Sequence, residues 1–349
     1  MIELRSDTQT KPSPEMRAAI AQAEVGDEQK REDPTVNRLE ELAARLLGQE
    51  QAVYVPTATM ANEIALRTLS EPGDEVVAEQ NSHIFLSELG GPAVHAGLMT
   101  RPLTCEAGRF TPEQLRETVR AGDSTHTPAT RIVSVENTHN ASGGRVWPLD
   151  EIEAIVATAR ELGLRPHLDG ARVMNAAVAS GVPSAEIGRH FDTVTLCLSK
   201  GLGCPLGALV AGSEELMAKA RRLKHLFGGA MRQAGIVAAA GVYALEHNIE
   251  RLAEDHARAR RLAEGLDAAG VPVDLEQVET NFVQVELGPL GLSRQEALAR
   301  LWDHGVGLSM TPHATRLRAV THHDVSDEDI ERAVELIPRA LGAQALARA

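Results

Sequence analysis

Six short runs divide the first two-thirds of this chain, several of them apolar almost from end to end: QAVYV (51–55), EVVAE (75–79), RIVSVE (131–136), LRPHLD (164–169), TVTLCLS (193–199) and GALVAG (207–212). A strand with one wet face alternates apolar and polar residues, whereas a strand covered on both faces has no need to. Helical periodicity fills the gaps between the runs. In DPTVNRLEELAARLLG, Asp33 is placed to cap a helix and Pro34 to occupy its first position. Val36, Leu39, Leu42, Ala43, Leu46 and Leu47 form one apolar face, and Gly48 ends it. PLDEIEAIVATARELG (148–163) repeats the scheme. Strands alternating with helices predict an α/β domain built on a mostly parallel sheet.

The pattern changes after about Leu245. The stretch IERLAEDHARARRLAEGLDAAG reads as one long helix. A strand at FVQVEL (282–287), a helix at RQEALARLWDHG, a strand within TRLRAVTH (315–322) and a final amphipathic helix follow. This predicts a smaller α+β domain, and 349 residues is a suitable length for two domains. The formal net charge of −14 argues against nucleic acid or an anionic membrane as partner. A small anionic ligand remains compatible, since helix N-termini and a few local cations suffice to bind one. Three cysteines without a CxxC pair, Cys105, Cys197 and Cys204, suggest neither a disulfide framework nor a metal site. No apolar leader or membrane-length run is visible, so a cytoplasmic location is expected.

Lys200 stands where the apolar run TVTLCLS gives way to glycines. Lysine is rarely buried unless its charge is paired or lost, and the strand ends of an open α/β sheet face the ligand crevice. An amine desolvated there becomes a nucleophile that forms Schiff bases with carbonyls. The plainer alternative is a lysine snorkelling at a strand end. Asp169 closes the run LRPHLD about thirty residues upstream. A Schiff-base lysine with a carboxylate partner suggests pyridoxal 5'-phosphate (PLP), whose pyridine nitrogen takes an acidic partner. As a residue ending a strand, Asp169 reads equally well as a helix cap. Thr57, Ala58 and Thr59 lie between a strand and a helix, where amides and hydroxyls suit a phosphate. His83 is placed to stack on a ring or to cap a helix. Glu136, Asn137, Thr138, His139 and Asn140 form a polar loop after a strand.

These segments together resemble the low-specificity L-threonine aldolases of the β-eliminating lyase group, which are fold-type I PLP enzymes. The resemblance runs nearly end to end through LRSDTQTKPSPEM, VGDE, DPTVNRLE, ENTHN, HLDGARVMNAAVA, CLSKGLGCPLGALVAG, GGAMRQAGIVAAAGVYAL and RAVTHHDVSDEDI. RSDTQT and GGAMRQAG are the most specific of these. The resemblance implies a large PLP-binding domain over residues 17–245 and a small domain over 246–349, with residues 1–16 packing near the active site. It implies cleavage of β-hydroxy-α-amino acids such as L-threonine and L-allo-threonine to glycine and acetaldehyde, within a homotetramer whose active sites share residues.

Residue by residue, the resemblance assigns Lys200 to the covalent link with PLP and Asp169 to the pyridine nitrogen. Arg172 goes to the cofactor O3′ and His83 to the ring face. Thr57, Ala58 and Thr59 are assigned to the phosphate, joined by Arg232 from a neighbouring subunit. Ser6 and Arg318 would hold the substrate carboxylate, and His126 would lie near the substrate hydroxyl. His83 and His126 are the candidates for the catalytic base, with Glu88 and His139 as candidates to support it. The family usually has glycine where this chain has Ala58. It commonly has an aromatic residue where this chain has Ser87, which predicts a roomier or more polar pocket. The pairing of Lys200 with Asp169 fits another lyase of the β-eliminating group as well, or an inactive cofactor-binding relative.

Overall fold

The computed structural model describes residues 1–122 and 125–343. In chain order the strands are β1 (Ile2–Glu3), β2 (Gln51–Val55), β3 (Glu75–Glu79), β4 (Met99–Leu103), β5 (Thr130–Glu136), β6 (Arg165–Asp169), β7 (Thr193–Cys197), β8 (Ala208–Gly212), β9 (Phe282–Glu286), β10 (Val306–Gly307), β11 (Ser309–Met310) and β12 (Arg316–Val320). Seven of them form one sheet in the order β2-β8-β7-β6-β5-β3-β4. Strand β8 runs antiparallel to its neighbours β2 and β7, and every other neighbouring pair is parallel.

The pleat explains why the runs are apolar throughout. Ala52 and Tyr54 pack into one hydrophobic cluster, and Val53 and Val55 into another. Val133 and Val135 divide from Ile132, and Leu209 and Ala211 from Ala208 and Val210, in the same way. Each strand therefore feeds two cores, one on each face of the sheet. The helices Pro34–Leu46, Leu149–Glu161 and Gly235–His247 cover the first face; Ala58–Leu69 and Glu214–Leu226 cover the second.

All six predicted runs of the large sheet are strands, with small changes at their ends. The run ending at Ser199 stops pairing at Cys197, so Lys200 lies in the turn beyond the strand rather than at its last residue. Strand β4 carries no matching sequence signal. MTRPL contains Thr, Arg and Pro and buries only its last residue, as an edge strand can.

A second core gathers Leu262, Leu266, Val283, Val285, Leu301, Leu317, Ile330 and Ile337, and also Ile2 and Leu4 from the chain's start. Its sheet is β11-β12-β9, antiparallel throughout, and β1 pairs in parallel with β10. The start of the chain is thus anchored in the second core, and the residues just after it are brought back toward the large sheet.

Asp33 caps the helix Pro34–Leu46 as its sequence predicts, and Gly48 takes the left-handed conformation just past its end, at φ +64°. The carboxylate does more than cap. It is fully buried, and one oxygen accepts from the amides of Thr35 and Val36. The other accepts from Gly26 and Gly235, joining the loop before this helix to the start of the helix Gly235–His247. Replacing Asp33 by Ala is expected to lower the free energy of unfolding by about 3 kcal/mol, through a lost cap and buried amides left without an acceptor. Asp33→Asn keeps the cap oxygen and falls between wild type and Asp33→Ala in chemical denaturation.

Candidate active site

The parallel strands β5, β6 and β7 end side by side, and the site is built at those ends. Asp169, the last residue of β6, is 2% exposed. One of its oxygens accepts from the Ala171 amide at 3.1 Å, and the other from Asn62 Nδ2 at 3.0 Å. Asn62 is held in turn by Thr195 of β7, whose hydroxyl donates to Asn62 Oδ1 at 2.8 Å. Among the described residues no arginine, lysine or histidine nitrogen lies within 4.0 Å of the Asp169 carboxylate. A buried carboxylate with two neutral donors and no cation is suited to an outside group that carries a proton.

His83 opens the short helix His83–Leu86. Its Nδ1 lies 2.8 Å from Glu88 Oε1, and its backbone amide donates to Glu136 Oε2 at 2.7 Å. Asn62 Nδ2 also donates to Glu88 Oε1, at 2.9 Å, so this one amide bridges Glu88 and Asp169. The donor atoms of His83, Glu88 and Asp169 fall within 4.8 Å of one another. Burial alone would lower the His83 pKa; the Glu88 hydrogen bond and the charges of Asp169 and Glu136 outweigh it, and the net shift is upward. Because Nδ1 faces Glu88, Nε2 is the nitrogen left to meet a ligand.

Arg318, on β12, comes from the second core. Its Nη1 donates to Asn140 Oδ1 at 2.6 Å, and its Nε to Ser309 Oγ at 3.0 Å. Ser309 donates to the carbonyl of Arg5, which brings Arg318 to the segment that carries Ser6. No carboxylate lies within 4.0 Å of Arg318 among the described residues. Burial, together with the charge of nearby Arg172, pulls its pKa down to about 10. A half-buried guanidinium without an anion is an anion site, and its planar fork matches a carboxylate.

Arg172 is itself occupied. Its Nε and Nη2 donate to the two oxygens of Asp7, each at 2.7 Å, leaving Nη1 for a ligand. Arg172 and Arg318 both lie over the ring of Phe282, with centroid distances of 4.9 and 5.4 Å. Asp7 is fully buried. Burial pushes its pKa up, but Arg172 and the charges of Lys200 and Arg318 more than reverse this and hold it well below the usual carboxylate range. Asp7 is the largest omission from the sequence reading. It stands in the quoted RSD segment beside Ser6, and only the return of the chain's start to the large sheet reveals its partner. Asn62 and Asn140 had no signal beyond lying in a helix and a polar loop.

Lys200 sits in the turn after β7, and its charge is felt by both Asp7 and His83. Its carbonyl accepts from the Thr10 hydroxyl at 2.9 Å and from the Gly203 amide at 2.8 Å, so the turn is pinned to the RSDTQT segment. Thr57 caps the helix Ala58–Leu69, its hydroxyl accepting from the Met60 amide. The first-turn amides of Ala58 and Thr59 have no partner within the helix, as a phosphate cradle requires.

The other predicted residues stand apart from this cluster. Ser6 accepts from the amide and hydroxyl of Thr8, capping its own turn beside the Arg5–Ser309–Arg318 chain. His126 is exposed on the loop that precedes β5. Arg232 is exposed and paired with Asp27 at 3.0 Å. His139 turns away from the cluster to Glu79, with Nε2 at 3.1 Å from Oε2, whereas Glu88 is at the centre of the site. Ser87 is exposed next to the His83 turn.

A parallel-sheet domain with a lysine beyond one strand end, an unpaired buried aspartate at the next and a histidine beside them defines a fold-type I PLP-dependent enzyme. Asp169 fits a protonated pyridine nitrogen, and the amides after Thr57 fit a phosphate, so the residues present suit the cofactor. The chain belongs to the beta-eliminating lyase family, whose model matches residues 3–287, and it is a lyase. It is 41% identical over 337 residues to the probable low-specificity L-threonine aldolase 2 of Arabidopsis thaliana, covering 95% of this chain and 94% of that one. It is 40% identical over 331 residues to the low specificity L-threonine aldolase of Escherichia coli strain K12, covering 95% and 96%. The fold superposes on the threonine aldolase of Leishmania major with a TM-score of 0.84 at 21% identity, covering 98% and 100% of the two chains. It also superposes on the serine palmitoyltransferase of Sphingomonas wittichii, with a TM-score of 0.74 at 20% identity over 97% and 88%.

Asp7→Asn is expected to lower the free energy of unfolding by about 3–5 kcal/mol at neutral pH, by leaving Arg172 buried without its counter-ion. The native pKa of Asp7 is depressed, so its contribution is complete above the unfolded value of about 4 and is lost as pH falls below it. Denaturation of the two proteins should therefore show a constant difference from pH 8 to 5 that narrows only in stronger acid.

Proposed function

We propose that this chain is a low-specificity L-threonine aldolase, which cleaves L-threonine, L-allo-threonine and related β-hydroxy-α-amino acids to glycine and an aldehyde. The observation that carries the reading is the pair of unmatched charges across one crevice. Among the described residues Asp169 has no cation and Arg318 no anion within 4.0 Å, with Lys200 and His83 near them. A protonated pyridine ring and an amino acid carboxylate would satisfy both at once. The curated relatives at about 40% identity point to the same reaction.

Each residue then has a task. Lys200 would carry the cofactor, Asp169 would keep its ring nitrogen protonated, and Arg172 Nη1 would approach O3′. Thr57, Ala58, Thr59 and, from a neighbouring subunit, Arg232 would hold its phosphate. Arg318 and Ser6 fix the substrate carboxylate and thereby orient the Cα–Cβ bond. The β-hydroxyl proton passes to a base as Cα–Cβ breaks, the aldehyde carbonyl forms, and the electron pair left on Cα is later protonated to give glycine. When bound, PLP supplies the electron sink for that pair. His83 is favoured as the base because Glu88 holds Nδ1 and leaves Nε2 for the substrate side. His126, which the resemblance assigns to the neighbourhood of the hydroxyl, is the alternative, and Ser87 in place of an aromatic residue would leave room for larger β-substituents.

Among the described residues no helix is long and apolar enough to cross a membrane. Cytoplasmic location and a homotetramer with shared sites complete the proposal, and the exposure of Arg232, apart from this chain's own cluster, is compatible with the sharing. L-threonine should yield glycine and acetaldehyde in equal amounts. Pyruvate and ammonia from L-serine, with no acetaldehyde from threonine, would mark an eliminase instead. Arg318→Ala should lower kcat/KM by about 100-fold, mostly through KM, as expected for a lost charge-assisted pair to the carboxylate.

A further inference from the structure

Behind His83 and Glu88, away from the crevice, lies a second buried carboxyl group that the reaction does not use. Glu63 follows Asn62 on the helix Ala58–Leu69 and is 2% exposed. The same helix contributes Ile64 and Leu66 to a hydrophobic cluster with Val76 and Ile84. Neither Glu63 oxygen has a hydrogen-bond donor among the described residues, and neither does Glu88 Oε2. Gly91 packs against Glu63 so closely that a Cβ there would overlap Glu63 Oε1. The Gly91 amide donates to the Glu88 carbonyl at 2.8 Å, and Glu88 is the charged neighbour that bears on Glu63.

Two neighbouring buried carboxyl groups do not both ionise readily here, because His83, beside Glu88, can offset only one negative charge and only while it is protonated. Glu88 has reason to keep the charge. Its Oε1 accepts from His83 Nδ1 and Asn62 Nδ2, whereas Glu63 accepts from nothing. The remaining proton belongs on Glu63, and Glu88 Oε2 is the oxygen of the pair's charged member that has no donor among the described residues. Burial, followed by the contact with Glu88, raises the Glu63 pKa to about 9.

We propose that Glu63 is a positioning residue, a neutral acid that donates its proton to Glu88 Oε2 and so completes a buried chain Glu63–Glu88–His83. With both oxygens engaged, the Glu88 carboxylate cannot rotate, and it holds the imidazole with Nε2 toward the crevice. The inference uses the His83–Glu88 geometry and deepens the aldolase reading, but its test reads protons rather than turnover, so the two can fail separately. The other charged groups that bear on His83 are Asp169 on β6, Glu136 on β5 and Lys200 after β7, and the variants leave all three in place.

The test is an NMR titration of the His83 ring in the holoenzyme and in two variants, with the resonance assigned by its loss in His83→Asn. Glu63→Gln keeps a neutral donor and should leave the His83 midpoint within about 0.3 pH units of wild type. Glu63→Met fills the space without a donor. The Glu88 anion then loses a stabilising hydrogen bond, the His83–Glu88 dyad binds its proton more tightly, and the midpoint should rise by about 0.5 units or more. The same variant should lower kcat roughly tenfold while Glu63→Gln stays near wild type, as expected when a buried acceptor is left unmade. A downward shift in both variants would show that Glu63 is an anion. An unmoved midpoint in Glu63→Met would show that it only fills space. Either result overturns the proposal. Should Glu63→Met not fold, infrared spectroscopy decides. A protonated-carboxyl C=O band at neutral pH that disappears in Glu63→Gln supports the proposal, and its absence from wild type overturns it.

Discussion

A carboxylate buried at the end of a central strand is costly unless something answers its charge, and the site is organised around that requirement at Asp169. Asn62 reaches it from the helix whose first-turn amides are proposed to bind the phosphate. Thr195 of the neighbouring strand holds Asn62, and the same amide bridges to Glu88 and hence to His83. Moving Asp169 would therefore disturb the ring-binding, phosphate-binding and base-supporting parts of the site together.

The second core closes the site from the other side. Arg318 arrives on a strand of the small sheet, and Asn140 and Ser309 hold its fork in place. Asp7 arrives from the chain's start, anchored by Ile2 and Leu4 in that same core, and pairs with Arg172 of the large domain. The buried Asp7–Arg172 pair thus ties the two cores across the crevice, while Arg318 beside it is left for a ligand. This division of two neighbouring arginines, one neutralised and one with no anion among the described residues, would give the crevice its direction for an anionic substrate.

Much of the fold was legible because strands buried on both faces leave a signature that few other structures share. Tyr54, Val133 and Leu209 feed one face and their neighbours the other, so the runs are apolar and short. The edge strand Met99–Leu103 left no such trace, since its exposed residues include Thr, Arg and Pro. Lys200 and Asp169 could be found because their charge interrupts an apolar context. The residues that could not be found act through distant contacts: Asp7 on Arg172, Asn62 between two carboxylates, Glu63 behind Glu88. In sequence each is an ordinary polar residue at a turn or on a helix, and only tertiary packing shows that it is buried. The resemblance pointed to residues proposed to touch ligands, and of those that hold them it reached Glu88 but not Asp7, Asn62 or Glu63.

The most direct measurement is turnover of L-threonine by Lys200→Ala alongside wild type, with borohydride trapping of PLP on each protein. The account predicts that acetaldehyde and glycine formation falls by about 1000-fold or more, as expected when a covalent catalytic group is lost, and that borohydride attaches PLP covalently to wild type only. Undiminished turnover in the variant, or covalent PLP retained at another lysine, would contradict it.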